Sequence, residues 1–465
     1  MVNMLGLKTR WMSFVLPGRR LFPFLLLLLL PSPGTTQTVP FSAEIQSLVD
    51  SVSVENIYTH VQALSWAGGT QSRVALTPGN YWAAEYIANY LSSLPGLTTV
   101  KLDTFYISEL SATSNYKEAK YNSYPIINVV ATLQGSSSAP EIILLGGHYD
   151  TSASRESNNS WDSNWENIQA RGADDNASGV AAMMEIARIL SDSSKHFANL
   201  HTIKFIAFAE EESNPVQNQS HIGSLFDAYY MKQNKENLTA ALILDMIAYN
   251  TDIDYIEVIA NTPSMPLART VYANASLYVP DLSTSQYPAN VTYSDHESYW
   301  RNGFQAILLM ENDKPWNDDP PNYVHNVYYH TTADSLGTLR PTMFKKVTQL
   351  AIANIAYWSQ KESTSAVLAD HFTEKIDDNG GDLSAYPNPF NAATTLHFSL
   401  EQAAEVEIKI FNAVGQVVAV LCQNQFFPIG ANQVSWQGDS FASGLYFCVI
   451  RCPSYTRSIK LALLK

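Results

Sequence analysis

The sequence predicts an α/β fold with a mostly parallel central sheet flanked by helices, followed by a small C-terminal antiparallel β-sandwich. From about residue 124, near-continuous apolar runs alternate with helical patterns. Strands that are buried on both faces, as in a parallel sheet covered by helices, have such runs. Beyond residue 383, short runs instead alternate between apolar and polar residues, with Gly and Asn between them, which indicates antiparallel strands.

The elements follow in a definite order along the chain. Residues near 40 to 98 predict helices, because segments such as NYWAAEYIANYLSSL have apolar residues at helical spacing. The strand candidates that follow are PIINVVATL, EIILLGG, TIKFIAFA, AALILDM, DYIEVIA and AILLM. The helical patterns between several of them are GVAAMMEIARIL, GSLFDAYYMKQ and MPLARTVYANA, and residues 342 to 360 predict a closing helix. Alternating runs from TTLHFSL to SIKLALLK predict the sandwich.

The N-terminus has the layout of a secretory signal peptide, which we place at residues 1–36. Basic residues precede the apolar run 21–30, and small turn-forming residues follow it. The apolar run is too short to span a bilayer, so we expect a secreted or cell-surface protein with no membrane span after signal removal. The turn-rich segment 366–383 predicts a linker between a domain at 37–365 and the sandwich at 384–465.

Charge and cysteine content exclude some classes of function. The formal net charge is -15, which argues against nucleic-acid binding because that function needs basic patches. The three cysteines are Cys422, Cys448 and Cys452. The α/β region therefore contains no thiolate metal site and no cysteine nucleophile. One C-terminal disulfide can form in an oxidising compartment, but the pairing stays open.

Acidic and histidine residues stand at the ends of several predicted strands. His148 and Asp150 close EIILLGGHYD, Glu211 and Glu212 close IKFIAFAEEE, and Asp245 closes AALILDM. Because ligands bind at the carboxyl ends of strands in open α/β sheets, we expect these side chains to converge on one rim. Charged groups there are costly unless they are paired, and carboxylates with imidazoles are ligands for divalent metals. The sequence therefore predicts a two-metal hydrolase.

Most of these motifs also have a purely structural interpretation. Asp175 in GADDNASG can cap a helix, His330 in YYHTTAD can support a loop, and Asp295 with His296 in SDHESYW can support the site without touching substrate. Asp245 is the hardest to explain structurally, because a buried unpaired Asp is rare.

Six of these motifs occur in the order seen in the M28 family of zinc peptidases, and residues 45 to 360 resemble its co-catalytic di-zinc aminopeptidases. The motifs are His148-x-Asp150, GADDNASG, FAEEE, the run ending at Asp245, SDH and YYHTTAD. The resemblance implies two zinc ions per chain and peptide substrates with a free N-terminus. It implies one zinc on His148 and Asp245, a second on Glu212 and His330, and Asp175 as the bridge.

The same resemblance implies roles for three further residues. Glu211 would be the general acid/base, Asp150 would orient His148, and Tyr329 would stabilise the tetrahedral intermediate. After Glu212 the family often has a short Gly-containing turn, whereas this chain has SNPVQNQSHIGS. That insertion affects the expected substrate pocket rather than the metal ligands.

The C-terminal region resembles the type IX secretion sorting domain. AYPNPFNAATTLHFSL, VEIKIFNAVGQVV, SGLYFCVI and the terminal SIKLALLK carry this resemblance. It implies export across an outer membrane by the secretion machinery, with removal of the domain as a further step. A generic sandwich that binds a surface is the alternative.

Two other functions compete with the aminopeptidase. One is a single-zinc acyltransferase on the same fold, like glutaminyl cyclases, and the other is a non-catalytic surface scaffold. The His148-x-Asp150 pair within a full ligand set favours the two-metal hydrolase. The sequence leaves open the preferred N-terminal residue, the physiological substrate, the metal loaded in the cell and the oligomeric state.

Overall fold

The computed structural model describes residues 39–111, 114–138, 140–156, 160–285, 289–360, 383–400, 402–412, 417–452 and 455–465. The predicted signal peptide lies outside these ranges, and so does the predicted linker apart from Leu383. Among the described helices, none combines the length and the apolar character that crossing a membrane requires.

The α/β part is built on an eight-stranded mixed sheet. Its strands are β1 (Thr99–Phe105), β2 (Ile126–Leu133), β3 (Ile142–His148), β4 (Thr202–Phe208), β5 (Leu238–Leu244), β6 (Tyr255–Ile259), β7 (Ser283–Thr284) and β8 (Ala306–Met310). The spatial order is β1-β2-β4-β3-β5-β8-β6-β7. The four inner strands β4, β3, β5 and β8 pair in parallel. The pairs β1–β2, β2–β4 and β6–β8 are antiparallel, so the predicted parallel arrangement holds at the centre of the sheet.

Nine described helices accompany this sheet. They are α1 (Ala43–Asp50), α2 (Val54–Trp66), α3 (Pro78–Ser92), α4 (Ser160–Asn164), α5 (Ala177–Ser191), α6 (Ile222–Gln233), α7 (Met265–Tyr278), α8 (His296–Arg301) and α9 (Pro341–Gln360). The helices predicted from periodicity are confirmed as α3, α5, α6, α7 and α9. Ser42, Ser53 and Asn176 cap α1, α2 and α5 by accepting backbone N–H groups.

Both faces of the sheet are buried, which explains the continuous apolar runs. On β3, Ile143 and Leu145 belong to the large core that also contains buried residues of α2, α5 and α9. Leu144, between them, points to the opposite face and packs in the smaller core with residues of α6 and α8 such as Tyr299. This alternation is the period-two geometry of a strand.

The C-terminal part is an antiparallel sandwich, as predicted. Its strands are β9 (Ser384–Tyr386), β10 (Ala393–Leu400), β11 (Ala404–Asn412), β12 (Val417–Phe427), β13 (Gly430–Gln437), β14 (Gly444–Cys452) and β15 (Tyr455–Leu463). They form two sheets, ordered β13-β10-β9 and β12-β11-β14-β15. Side chains of both sheets pack in one core around Trp436. The three cysteines are buried there as free thiols.

Candidate metal centre

The carboxyl ends of three neighbouring strands meet at one rim of the sheet, and the predicted site residues lie there. His148 ends β3, Glu211 and Glu212 follow β4, and Asp245 directly follows β5. All four side chains are buried. Asp175, just before α5, and His330, on the loop before α9, complete the cluster. The structure thus brings together residues that are far apart in the chain.

The cluster consists of two groups that share Asp175. His148 Nε2 lies 3.3 Å from Asp175 Oδ1 and 3.3 Å from Asp245 Oδ1. His330 Nε2 lies 3.0 Å from Asp175 Oδ2 and 2.6 Å from Glu212 Oε1. In each group the candidate ligand atoms lie within 4.8 Å of one another. Asp175 therefore turns one oxygen toward each histidine, as a ligand that bridges two cations must.

The donor set fits zinc. Zinc–nitrogen bonds of roughly 2.0–2.1 Å in a tetrahedral site place neighbouring ligand atoms about 3.3–3.4 Å apart. The two 3.3 Å separations around His148 match this value, whereas those around His330, at 3.0 and 2.6 Å, are shorter and are hydrogen-bond distances. Imidazole and carboxylate are also the ligands that zinc takes in catalytic sites. The residues present can therefore hold one ion in each group, with Asp175 common to both.

The turn that carries Asp175 is held tightly against β5. The Asn176 side chain accepts the N–H of Gly179 at 2.9 Å and donates to the carbonyl of Leu244 at 2.8 Å. A Cβ on Gly179 would stand 2.3 Å from the same Leu244 oxygen, so only glycine allows this close approach. Asp334 accepts the N–H of Asp175 at 3.0 Å. These contacts place Asp175 beside Asp245.

Asp150 organises two of the strand ends. Its carboxylate accepts the backbone N–H of Glu211 at 3.0 Å and that of Glu212 at 3.1 Å. It also lies 3.5 Å from His148 Nδ1. The orienting contact to His148 was predicted. The two backbone contacts, which fix the start of the glutamate loop, were not.

Several loops at this rim adopt left-handed backbone at non-glycine residues. Glu210, His221, Met246 and His330 have φ of 54°, 59°, 48° and 57°. Such residues cost of order 1–3 kcal/mol each and persist only where their surroundings over-determine them. The presence of four such residues beside the cluster indicates that the backbone of these loops is constrained, which fixes the directions of their side chains.

The three consecutive glutamates point in different directions. Glu210 accepts the Tyr116 hydroxyl at 2.7 Å and the Gln217 side-chain N–H at 2.7 Å, away from both groups. Glu212 faces His330. Glu211 Oε1 contacts His221 Nε2 at 3.0 Å, and its Oε2 lies 3.9 Å from His148 Nε2. Glu211 and Glu212 thus face the two groups and Glu210 faces away, and the roles predicted for Glu211 and Glu212 stay predictions.

The electrostatics at this rim are dominated by crowded, buried carboxylates. Burial raises the pKa of Glu212 well above its usual range, and burial also raises the pKa of Asp245. Burial alone would lower the pKa of His330, but Glu212 and Asp175 raise it to about 10. Burial would raise the pKa of Asp175, but the two histidines hold it far below normal. Such a cluster of buried acids calls for positive charge.

A pocket of about 260 Å³ opens onto the cluster. Its walls combine the site carboxylates with apolar and aromatic side chains, among them Met246, Met310, Tyr293, Trp316 and Tyr329. The ring of Tyr329 stacks on that of His330, with centroids 3.8 Å apart. Tyr329 therefore lies at the site, and the catalytic role predicted for it stays a prediction.

Two contacts to site residues escaped the sequence analysis. His221, in the insertion SNPVQNQSHIGS, contacts Glu211 and lines the pocket. Ser154 Oγ lies 2.9 Å from His330 Nδ1. Neither residue stands at a strand end, so no local signal marks it.

Asp295 and His296 lie behind the site rather than in either group. Both are fully buried at the start of α8. His296 Nε2 lies 2.8 Å from the carbonyl of Val291. Burial, with a smaller contribution from Glu211, raises the pKa of Asp295 to about 7. The support role predicted for this pair stays a prediction.

The chain matches two known families. Residues 128–355 match the peptidase family M28, and residues 384–463 match the secretion system C-terminal sorting domain. A probable aminopeptidase of Saccharomyces cerevisiae is 27% identical over 290 residues, which cover 60% of this chain and 66% of that protein. An uncharacterised protein of Escherichia coli is 26% identical over 249 residues, covering 49% and 68%.

A probable zinc metalloprotease of Pyrenophora tritici-repentis is 38% identical over 122 residues, which cover 26% of this chain and 24% of that protein. Among solved structures, the LapA aminopeptidase of Legionella pneumophila has a TM-score of 0.52 at 19% identity, covering 68% of this chain and 75% of that one. The glutaminyl cyclase of Porphyromonas gingivalis has a TM-score of 0.52 at 20% identity, covering 66% and 98%. These likenesses show the fold.

Proposed function

We propose that this chain is a secreted two-zinc aminopeptidase, on the premise that its residues 128–355 form a peptidase family M28 domain and its residues 384–463 a secretion sorting domain. A sorting domain of this kind implies secretion or surface localisation. The proposed parts are a signal peptide at 1–36, a peptidase domain at 37–365, a linker at 366–383 and a sorting domain at 384–465 that contacts the secretion machinery.

The observation that carries the proposal is the placement of Asp175 between two ligand groups. His148 and Asp245 would hold one zinc, and Glu212 and His330 would hold the other. Asp175 would be the common ligand, because its two oxygens face different histidines at 3.3 and 3.0 Å. When bound, a zinc pair of this kind polarises a scissile carbonyl and lowers the pKa of water to near 7.

Glu211 is the proposed general acid/base. It belongs to neither ligand group, yet it is buried beside both. His221 engages its Oε1, which leaves Oε2 on the side of His148. At Oε2, Glu211 accepts the proton of the attacking water and then returns it to the leaving amine. Asp150 keeps the glutamate loop and the His148 ring in place for this transfer.

The pocket supports removal of residues from a peptide N-terminus. Its carboxylates suit a protonated α-amino group, and its apolar walls suit the side chain of the first residue. Tyr329, whose ring stacks on that of His330, is the proposed hydrogen-bond donor that stabilises the tetrahedral intermediate. The proposed substrates are therefore peptides with a free N-terminus.

A glutaminyl cyclase is the second candidate, because a cyclase from Porphyromonas gingivalis shares the fold. The presence of two complete ligand groups favours the peptidase. A non-catalytic scaffold is disfavoured by the same set, since mere binding does not require a candidate base beside both groups. The metal content of the purified protein separates one-zinc from two-zinc chemistry.

The test is mass spectrometry of a mixed peptide set, each peptide supplied with a free and an acetylated N-terminus, with and without a chelator. We expect stepwise loss of N-terminal residues from free amines only, abolished by the chelator. Cleavage of acetylated peptides would indicate an endopeptidase or carboxypeptidase. No cleavage, with cyclisation of N-terminal glutamine, would establish the cyclase.

A further inference from the structure

Arg155 lies at the edge of the pocket described above. Its guanidinium carbon is 4.9 Å from the centre of the Trp316 ring and 4.9 Å from that of Tyr329. Both rings line the pocket. Its backbone N–H donates to the carbonyl of His330 at 2.9 Å, so the residue is tied to the site. Cation–π contacts of this kind fix the position of a guanidinium without using its N–H donors.

The donors of Arg155 are available to a ligand. Its side chain is exposed, and within the described ranges the guanidinium forms no hydrogen bond and no ion pair. A guanidinium presents its N–H groups as a planar fork that matches a carboxylate in a bidentate manner. The guanidinium of Arg155 can therefore bind a carboxylate at the edge of the pocket.

The pocket beside Arg155 is lined by four carboxylates. The lining includes Asp175, Glu211, Glu212 and Asp245 but neither Lys nor Arg. The only basic side chains among these lining residues are His221 and His330, and both already contact site carboxylates. Arg155 is therefore the guanidinium beside the pocket whose donors are free to bind a carboxylate within the described ranges.

The distance from the metal groups limits how far along a peptide that carboxylate can be. The centre of the Tyr329 ring lies 4.9 Å from the Arg155 guanidinium carbon and 3.8 Å from the centre of the His330 ring. The guanidinium carbon is therefore at most 8.7 Å from the centre of the His330 ring. An extended peptide advances about 3.3–3.6 Å per residue. Two residues after the scissile bond advance about 7 Å, so a carboxylate one or two residues beyond that bond lies within this limit.

We propose that Arg155 binds the C-terminal carboxylate of dipeptides and tripeptides, which makes the enzyme selective for short peptides. This inference rests on the proposed aminopeptidase function and adds its substrate class. An acidic side chain in the first or second position after the scissile bond presents the same chemical group, so the test separates the two sources.

The experiment uses the zinc-loaded full chain and the N-terminal residue that it removes best. KM and kcat are measured for a dipeptide and a tripeptide, each as the free acid and as the C-terminal amide, and for a chromogenic aminoacyl anilide that has no carboxylate. A second arm compares amidated dipeptides that end in Asp or Asn. Arg155→Gln is compared with Lys314→Gln, which removes an exposed cation near Trp316.

We expect the wild type to have a KM about three- to fivefold lower for the free acids than for the amides, as an exposed ion pair contributes. In Arg155→Gln this ratio should fall to about 1, whereas Lys314→Gln should keep it. Equal KM values for acids and amides in the wild type, or an unchanged ratio in Arg155→Gln, would overturn the inference. A preference for Asp over Asn in the amidated pair that exceeds the acid-over-amide preference would assign the carboxylate to a side chain and also overturn it.

The anilide has no carboxylate, so its turnover tests the proposed aminopeptidase activity independently of Arg155. Metal-dependent release of the anilide group with no acid-over-amide preference contradicts only the role of Arg155. Absence of turnover on the anilide and on all peptides contradicts the aminopeptidase itself.

Discussion

His221 Nε2 lies 3.0 Å from Glu211 Oε1, and its other ring nitrogen lies 3.5 Å from Glu297 Oε2. Glu297 in turn contacts Arg301 at 2.7 Å. Glu211, the candidate base, is therefore the buried end of a series of ion pairs that continues through His221 and Glu297 to the exposed Arg301. His221 comes from the insertion after Glu212, so this arrangement depends on a segment that departs from the simplest family pattern.

His221→Ala should lower kcat while leaving the zinc content unchanged. The reason is that Glu211 would lose the contact that fixes its rotamer, although no metal ligand is removed. We expect kcat to fall about tenfold, which is part of the 10²–10⁴-fold rate acceleration that a positioned general acid/base contributes. Steady-state kinetics with metal analysis would test it. His221→Gln, which can still donate to Glu211, should recover part of the loss, and wild-type kcat in the alanine variant would exclude the positioning role.

Glu211→Gln should keep both zinc ions and lose at least about 10²-fold in kcat, because an amide cannot accept the proton. Its neighbour provides a matched control. Glu210 is equally buried but contacts Tyr116 and Gln217 instead of the ligand groups. Glu210→Gln should therefore stay within a few-fold of the wild type. A comparable loss in both variants would mean that the effect is structural and that Glu211 is not the base.

Metal stoichiometry tests the bridging role of Asp175. Asp175→Ala should lose both zinc ions after dialysis, because each group loses a ligand and the remaining carboxylates repel one another. His330→Ala should lose only the ion shared with Glu212. Elemental analysis of the purified variants gives the counts directly, independently of activity. Two ions per chain in Asp175→Ala would rule out bridging.

The sequence revealed the parts of this site that are encoded locally. His148 and Asp245 were predicted because each lies at the end of a buried apolar run, and the parallel strands β3 and β5 bring these ends together. His221 and Ser154 were not, because their contacts depend on the tertiary path of loops. The edge strand β1 was also missed, since TVKLDTF is largely exposed and lacks an apolar run. Local pattern predicts buried central strands better than edges and insertions.

The stability of the fold should depend on pH through His60, which is buried between α2 and α3. Its Nδ1 lies 2.9 Å from the Tyr86 hydroxyl, and the Tyr90 ring packs 4.3 Å away. Burial lowers the pKa of His60 to about 4, although Glu185 opposes the shift. In the unfolded chain the imidazole takes up its proton near pH 6.5.

Between these two pKa values the unfolded state binds more protons than the folded state, so stability must fall as the pH falls. The stabilisation that comes from keeping His60 neutral is fully present above about pH 6.5 and is lost as the pH approaches 4. The resulting decrease in the free energy of unfolding is about 3 kcal/mol. His60→Gln cannot be protonated, so its free energy of unfolding should decline less than that of the wild type over this window. Denaturant unfolding of both proteins at several pH values measures the difference. His196→Asn, at an exposed histidine, should follow the wild-type curve, and parallel curves for wild type and His60→Gln would show that burial does not keep His60 neutral.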